Sequence, residues 1–114
     1  MTKIRFFRQN GIFWGFEETG HAGFGEEGED ILCSAISAMT MLILNTIEVV
    51  YKVHTEYSID ENTANVRVTC KEVLTTDDEK VRFAIGGLFE GYYLQLLDLT
   101  EEYYDFLDVD LLDT

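Results

Sequence analysis

The chain has 114 residues, of which 22 are acidic and 8 are Lys or Arg, so its formal net charge is −14 with neutral histidines. With 46% hydrophobic residues, a chain of this length is expected to form one compact domain, residues 1–114, and its composition excludes intrinsic disorder. The negative charge excludes a nonspecific nucleic-acid binder. Such proteins attract the phosphate backbone with clustered Lys and Arg residues, whereas a chain with this net charge repels it. A neutral or basic partner is therefore expected.

The first residues of the chain do not resemble a secretory leader. The apolar stretch near the N-terminus is broken by Asn10-Gly11, and no small-residue cleavage site follows it. We therefore expect a cytoplasmic protein in which Cys33 and Cys70 are reduced thiols. The longest charge-free run, Ile31 to Ile47, is short and polar for a membrane span, so a buried helix of a soluble domain is favoured and no membrane contact is expected.

The N-terminal residues predict a β-hairpin followed by a loop. Apolar residues alternate from Thr2 to Arg8, Asn10-Gly11 is a strong hairpin signal, and Ile12 to Glu18 is the returning strand. The stretch from Thr19 to Glu29 is rich in glycine and has no periodic apolar pattern, which is typical of a loop. The chain is therefore expected to reach its first helix through a glycine-rich loop.

Asp30 is the expected N-cap residue of a long helix that follows this loop. The helix is predicted from about Ile31 to about Val50, because apolar residues recur there at intervals of three and four. The recurring residues are Leu32, Ile36, Met39 and Ile43. This stripe is expected to pack on a sheet.

The second half of the chain predicts another hairpin, another helix and a final strand. The hairpin strands are Val53 to Ile59 and Ala64 to Leu74, and Asp77 or Asp78 caps the second helix. The tail from Tyr103 to Leu112 alternates as a strand does. The order ββαββα(β) predicts an α+β fold in which an antiparallel sheet of four to five strands carries two helices.

Cys33 has the setting of a nucleophilic thiol. At about the third position of the predicted helix, its sulfur would lie near unpaired backbone N–H groups and the positive end of the helix dipole, which favour a thiolate and could hold an oxyanion. A helix end supplies at most about 2 kcal/mol of the roughly 3 kcal/mol that a mainly anionic thiol requires at pH 7. An imidazolium must supply the remainder, and His21 in the preceding loop can reach the helix start. Asp30, Cys33 and Ser37 share one helix face, because they are spaced i, i+3 and i+7.

The residues around His21 and Cys33 resemble a known signature. Gly20-His21-Ala22 and the later stretch GEDILCSAIS, residues 28–37, are similar to the Gly-His-Ala and Gly-x-Asp-Ile-Val-Cys-Ala-Ala-Val-Ser motifs of the ribosomal-processing cysteine protease family. The resemblance implies that Cys33 is the nucleophile and His21 the general base and acid. It also implies three supporting motif positions, which are Gly20, Asp30 and Ser37.

The same resemblance implies a substrate and an assembly. It implies a homodimeric cysteine endopeptidase that removes a short N-terminal extension from the large-subunit ribosomal protein numbered twenty-seven, before that protein joins the ribosome. The acidic charge of the chain is consistent with a basic ribosomal protein as partner. Leu32 and Ser34 replace the usual Val and Ala of the motif, and neither replacement affects the implied chemistry.

The same residues allow other interpretations. A non-enzymatic module that binds a ribosomal protein or a nascent chain would use the same groove without hydrolysis. The G-x-G-x-x-G pattern from Gly23 to Gly28 would place carboxylates against a pyrophosphate, and only one strand–helix step accompanies it, so it does not predict a dinucleotide site. His54 and Cys70 are expected to be structural, and no zinc-site spacing is present, so no metal or cofactor is expected.

Overall fold

The computed structural model describes residues 1–20 and 27–114, with the backbone alone described at residues 27–29. Along these residues the elements are, in chain order, β1 (Thr2–Gln9), β2 (Ile12–Thr19), α1 (Glu27–Asn45), β3 (Glu56–Ile59), β4 (Val66–Thr69), α2 (Glu72–Thr75), α3 (Glu79–Glu102) and β5 (Leu107–Asp113). A π-helical turn, Thr46–Val50, extends α1. The predicted α+β fold is therefore confirmed, and the short helix α2 is an addition to the predicted order.

The strands form one sheet in the order β3-β4-β2-β1-β5. β1 and β2 are joined by Asn10-Gly11, both of which have positive φ, as the central residues of a type I′ turn require. β2 pairs antiparallel with β4 and β4 antiparallel with β3, whereas β5 runs parallel to β1. The sheet is therefore mixed, although the sequence predicted an antiparallel one. The reason is that β4 and β1 point the same way, and α3 crosses back over the sheet before β5 begins, which is the connection that parallel strands need.

Two exposed ion pairs join β5 to β1. In the parallel register, Arg5 lies opposite Asp110 and Arg8 opposite Asp113. The Nε atom of Arg5 donates to Asp110 at 3.1 Å, and the guanidinium of Arg8 donates two hydrogen bonds of 2.7 Å to Asp113. The contact with Arg8 lowers the pKa of Asp113. These pairs favour the observed register, because a shift of one residue would separate each Arg from its Asp.

The helices bury one face of the sheet. Phe6 of β1 and Phe16 of β2 are fully buried, and each makes an edge-to-face contact with Tyr92 of α3, at centroid distances of 5.6 and 5.1 Å. Leu32 and Ile36 of α1 are also buried, which confirms the predicted apolar stripe. These residues belong to one hydrophobic cluster, so α1 shares its core with the β1–β2 hairpin.

The second hairpin is shorter than its sequence pattern predicts. β3 begins at Glu56 rather than Val53, and β4 ends at Thr69 rather than Leu74. The backbone N–H of Cys70 still donates to the sheet, and α2 starts two residues later. A short apolar run has this ambiguity, because its pattern alone does not separate a strand end from the first turn of a helix.

The helical stretch Asp30–Val50 is long and apolar enough to cross a membrane by length and mean hydropathy, a criterion that core helices of soluble proteins also meet. One side of it is packed in the core, as the sequence predicts. The opposite side is unusual, because Ile31, Met41 and Leu42 are 55%, 50% and 60% exposed there. We call these three residues the apolar face of α1.

Candidate active site

Gly20 is required by the backbone at the point where the chain leaves β2 for His21. Its φ is +75°, a conformation that side chains disfavour, and a Cβ atom at this position would collide with the carbonyl oxygen of Met1. The motif glycine therefore has a physical explanation. It lets the chain pass closely over the N-terminal residue, one position before the predicted histidine.

Replacement of Gly20 by Ala is expected to lower the free energy of unfolding by about 1–3 kcal/mol, because the left-handed conformation is costly for alanine and the N-terminal backbone must move. The matched control is Gly11→Ala, which also has positive φ but no neighbouring atom within 4 Å of the added Cβ. Urea denaturation of both variants measures the difference. An equal loss in the two variants would show that the contact with Met1 contributes nothing.

Cys33 is the seventh residue of α1 and is partly buried. The predicted position of Cys33, near the third residue of the helix, is wrong, because α1 begins at Glu27 rather than near Ile31. Only the first four N–H groups of a helix lack an intrahelical partner, and the dipole effect declines within the first turn. The helix start therefore contributes less to a thiolate at Cys33 than predicted, and it does not supply the predicted oxyanion donors beside the sulfur.

Asp30 is the fourth residue of α1, so it is not the N-cap residue that the sequence predicted. Its side chain is exposed. The earlier start is consistent with the acidic sequence at residues 26–30, because carboxylates are favourable near the positive end of a helix. Ser37 is exposed as well, one turn beyond Cys33. Asp30 and Ser37 thus lie at the surface of α1, and the partly buried Cys33 lies between them on the same side of the helix.

His21 lies outside the described residues, together with the rest of residues 21–26. Most of the Gly23 to Gly28 pattern lies there too. The two ends of this segment are described, at Gly20 and at the start of α1. The pairing of Cys33 with His21 stays a prediction from the sequence.

A buried polar cluster, which the sequence analysis missed, joins the end of β2 to both long helices. Glu18 is 2% exposed, and its carboxyl oxygen Oε1 accepts a hydrogen bond of 2.7 Å from the hydroxyl of Thr40 on α1. The hydroxyl of Tyr92 on α3 lies 3.5 Å from the same oxygen and 3.3 Å from the Thr40 hydroxyl. The alternation of β2 could have predicted the burial of Glu18, because Glu18 follows Phe16 by two residues and therefore lies on the same buried face of the sheet.

Burial dominates the protonation of this cluster. It raises the pKa of Glu18 from 4.5 to about 7, and the hydrogen bonds from Thr40 and Tyr92 oppose the rise. Burial and the neighbouring carboxyl group of Glu18 also raise the pKa of Tyr92, so its hydroxyl stays protonated. Glu18 therefore changes its charge close to neutral pH.

Cys70 has a structural environment, as the sequence predicts. It is buried, its thiol lies 3.6 Å from the backbone carbonyl oxygen of His54, and burial raises its pKa. The imidazole-bearing residue His54 is exposed. Among the described residues, no group of three or more His, Cys, Asp or Glu side chains is arranged to hold a metal ion.

Known proteins resemble this chain over nearly its whole length. The sequence model of the family described as "Cysteine protease Prp" matches residues 1–108. A protein named ribosomal processing cysteine protease Prp, from Bacillus subtilis (strain 168), is 30% identical to the chain over 106 residues, which cover 93% of this chain and 91% of that relative.

Solved structures share the fold. SMU.848 from Streptococcus mutans has a TM-score of 0.82 and 30% identity, and the match covers 100% of this chain and 96% of that one. The ribosomal processing protease Prp from S. aureus, solved in complex with a substrate peptide, has a TM-score of 0.80 and 17% identity, with 98% and 100% covered. The fold described above is therefore one that holds a peptide in the S. aureus protein.

Proposed function

Since the chain belongs to the cysteine protease Prp family, we propose that it is the endopeptidase that removes the N-terminal extension of the large-subunit ribosomal protein numbered twenty-seven. The observation that carries the proposal is the position of Cys33, which is partly exposed on α1, a helix that packs beside the strand leading into Gly20 and His21. The curated relative is named for ribosomal processing, which supports the substrate. The cytoplasm is where we propose that it acts.

In the proposed reaction, the thiolate of Cys33 attacks the scissile carbonyl carbon and forms a C–S bond. His21 protonates the leaving amine as the C–N bond breaks, which leaves a thioester on Cys33. His21 then takes a proton from water, whose oxygen attacks the thioester and releases the acid and the thiol. Because Cys33 lies beyond the first turn of α1, His21 carries most of the thiolate stabilisation, and the oxyanion donors come from outside that turn.

The charge of the chain is suited to a basic substrate. At −14, its field attracts a basic ribosomal protein and repels RNA, and long-range attraction of this kind raises association rates. The purified protein should therefore cut the precursor more slowly as salt is added. The direct test follows the mass of the ribosomal protein precursor during incubation with the purified protein, and loss of the extension is the expected result.

We further propose that two copies of the chain associate through the apolar face of α1. Two chains of charge −14 repel each other, so the electrostatic free energy of association is least unfavourable where the contacting surfaces carry no charge. Ile31, Met41 and Leu42 are exposed and lie in a charge-free stretch of the sequence. Burial of these side chains in a dimer removes apolar surface from water.

Replacement of Leu42 by Glu is expected to convert the dimer to a monomer, because a buried unpaired carboxylate in each copy costs several kcal/mol. Sedimentation equilibrium measures the mass directly. The control is Phe83→Glu, which introduces the same charge at an 86% exposed apolar residue on α3 and should leave the dimer intact. A Leu42→Glu protein that sediments as a dimer would exclude this interface.

A further inference from the structure

A buried carboxyl group that the proposed reaction does not use lies at the junction of three elements. Glu18 belongs to β2, Thr40 to α1 and Tyr92 to α3. The Thr40 hydroxyl donates to Glu18 at 2.7 Å, and the Tyr92 hydroxyl lies within 3.5 Å of Glu18 and of the carbonyl oxygen of Ile36. Within the part of the chain that the structure describes, the hydrogen-bond partners of this carboxyl group are hydroxyl groups rather than cations.

This junction is linked to both segments of the candidate site. Glu18 lies two residues before Gly20, on the strand that leads into His21. Thr40 follows Cys33 by seven residues on α1, which places it about 10 Å further along the helix on nearly the same face. A change in the Glu18–Thr40 contact therefore alters how the helix that bears Cys33 rests on the strand that leads to His21.

We propose that Glu18 is a positioning residue, whose neutral carboxyl group holds α1 against the end of β2 and whose ionisation loosens this contact and misplaces Cys33. The inference rests on the proposed role of Cys33 as nucleophile. Its physical basis is that a buried anion without a cationic partner costs free energy, which is recovered when the surrounding elements separate and admit water.

The surroundings of Glu18 favour its neutral form. Its register neighbours are Ile4 on β1 and Val66 on β4, both apolar. α1 contributes the Thr40 hydroxyl, and the titratable group that faces Glu18 among the described residues is the Tyr92 phenol on α3. Because burial raises the pKa of Glu18 to about 7, the contact is expected to change within the neutral range.

The test measures the alkylation of Cys33 by iodoacetamide from pH 5.5 to 9, with the modified peptide quantified by mass spectrometry. After division by the thiolate fraction, the wild-type rate constant is expected to fall roughly threefold to tenfold as the pH passes 7. This fall in the rate constant near pH 7 is called the step. Glu18→Gln, whose amide stays neutral, should lack the step. Thr40→Val removes a donor that lowers the pKa of Glu18, so it should move the step to higher pH.

Glu17→Gln is the matched control, because it removes a carboxylate from the neighbouring residue, which forms a more exposed ion pair of 3.0 Å with Arg67. It should keep the wild-type step. The same step in Glu18→Gln as in the wild type would overturn the inference, since a purely structural Glu18 changes stability without changing the rate per thiolate. Should Glu18→Gln fail to fold, an unmoved step in Thr40→Val overturns it equally.

Cleavage of the ribosomal protein precursor by the same samples separates this inference from the proposed function. Alkylation that shows the step, in a protein that cuts no precursor, contradicts the proposed function and supports the positioning role of Glu18. Cleavage without any step in alkylation supports the proposed function and contradicts the positioning role.

Discussion

Replacement of Cys33 by Ala is expected to abolish cleavage of the ribosomal protein precursor, with a rate loss of about three orders of magnitude or more. The reason is that the variant has no atom at this position that can form the acyl intermediate, and loss of a nucleophile removes nearly all of the catalysis that depends on it. His21→Ala should cause a loss of similar size, because the groups of a dyad act as a unit. The measurement is the initial rate of precursor cleavage.

Cys70→Ala is the control for the loss of a thiol. Cys70 is buried against the backbone of His54, so its replacement should lower stability slightly and leave the cleavage rate unchanged. Equal cleavage by Cys33→Ala and the wild type would refute the dyad. A non-enzymatic binding module predicts a different result, which is stoichiometric binding of the precursor by the wild type and by Cys33→Ser, with no cleavage by either.

Replacement of Glu18 by Gln is expected to stabilise the protein at pH 8 by about 3 kcal/mol and to change its stability little at pH 4.5. In the unfolded chain the glutamate pKa is near 4.5, and in the folded chain burial raises it to about 7. Between these values the unfolded chain releases its proton first, so wild-type stability falls as the pH rises and the loss is complete above about pH 7. The glutamine variant lacks this ionisation, and urea denaturation at both pH values measures the difference.

The control for this change is again Glu17→Gln. Its carboxylate forms a more exposed ion pair with Arg67, and pairs of this kind contribute no more than about 1 kcal/mol. Its effect should therefore be small at both pH values. A difference between wild type and Glu18→Gln that is the same at pH 4.5 and pH 8 would show that Glu18 is not buried as an uncompensated acid.

Local signals were sufficient for several elements of the fold. Asn10-Gly11 predicts its hairpin because few other dipeptides adopt two positive φ angles, and Asp78 caps α3 by accepting a hydrogen bond of 2.9 Å from the backbone N–H of Lys80. The stripe of Leu32, Ile36 and Ile43 is buried as its spacing predicts. Each of these features depends on residues that are close together in the chain.

Helix starts and strand partners were harder to predict. The earlier start of α1, at Glu27, moves Cys33 from the third position to the seventh and reduces the contribution of the helix dipole that the sequence suggested. A glycine-rich acidic stretch gives no local pattern that separates loop from first turn. The parallel pairing of β5 with β1 depends on the path of α3 across the sheet, which is a property of the whole fold.

By itself, the sequence determined the α+β class, the main elements, the family motif around His21 and Cys33, and a charge of −14 that excludes a nonspecific nucleic-acid binder. Only the tertiary structure decided which polar residues are buried. Glu18 and Glu17 are adjacent and identical in chemistry, yet one is packed beneath two helices and the other pairs with Arg67 near the solvent. The physical reason is that protonation near neutral pH depends on desolvation, and desolvation is set by the elements that pack around a side chain.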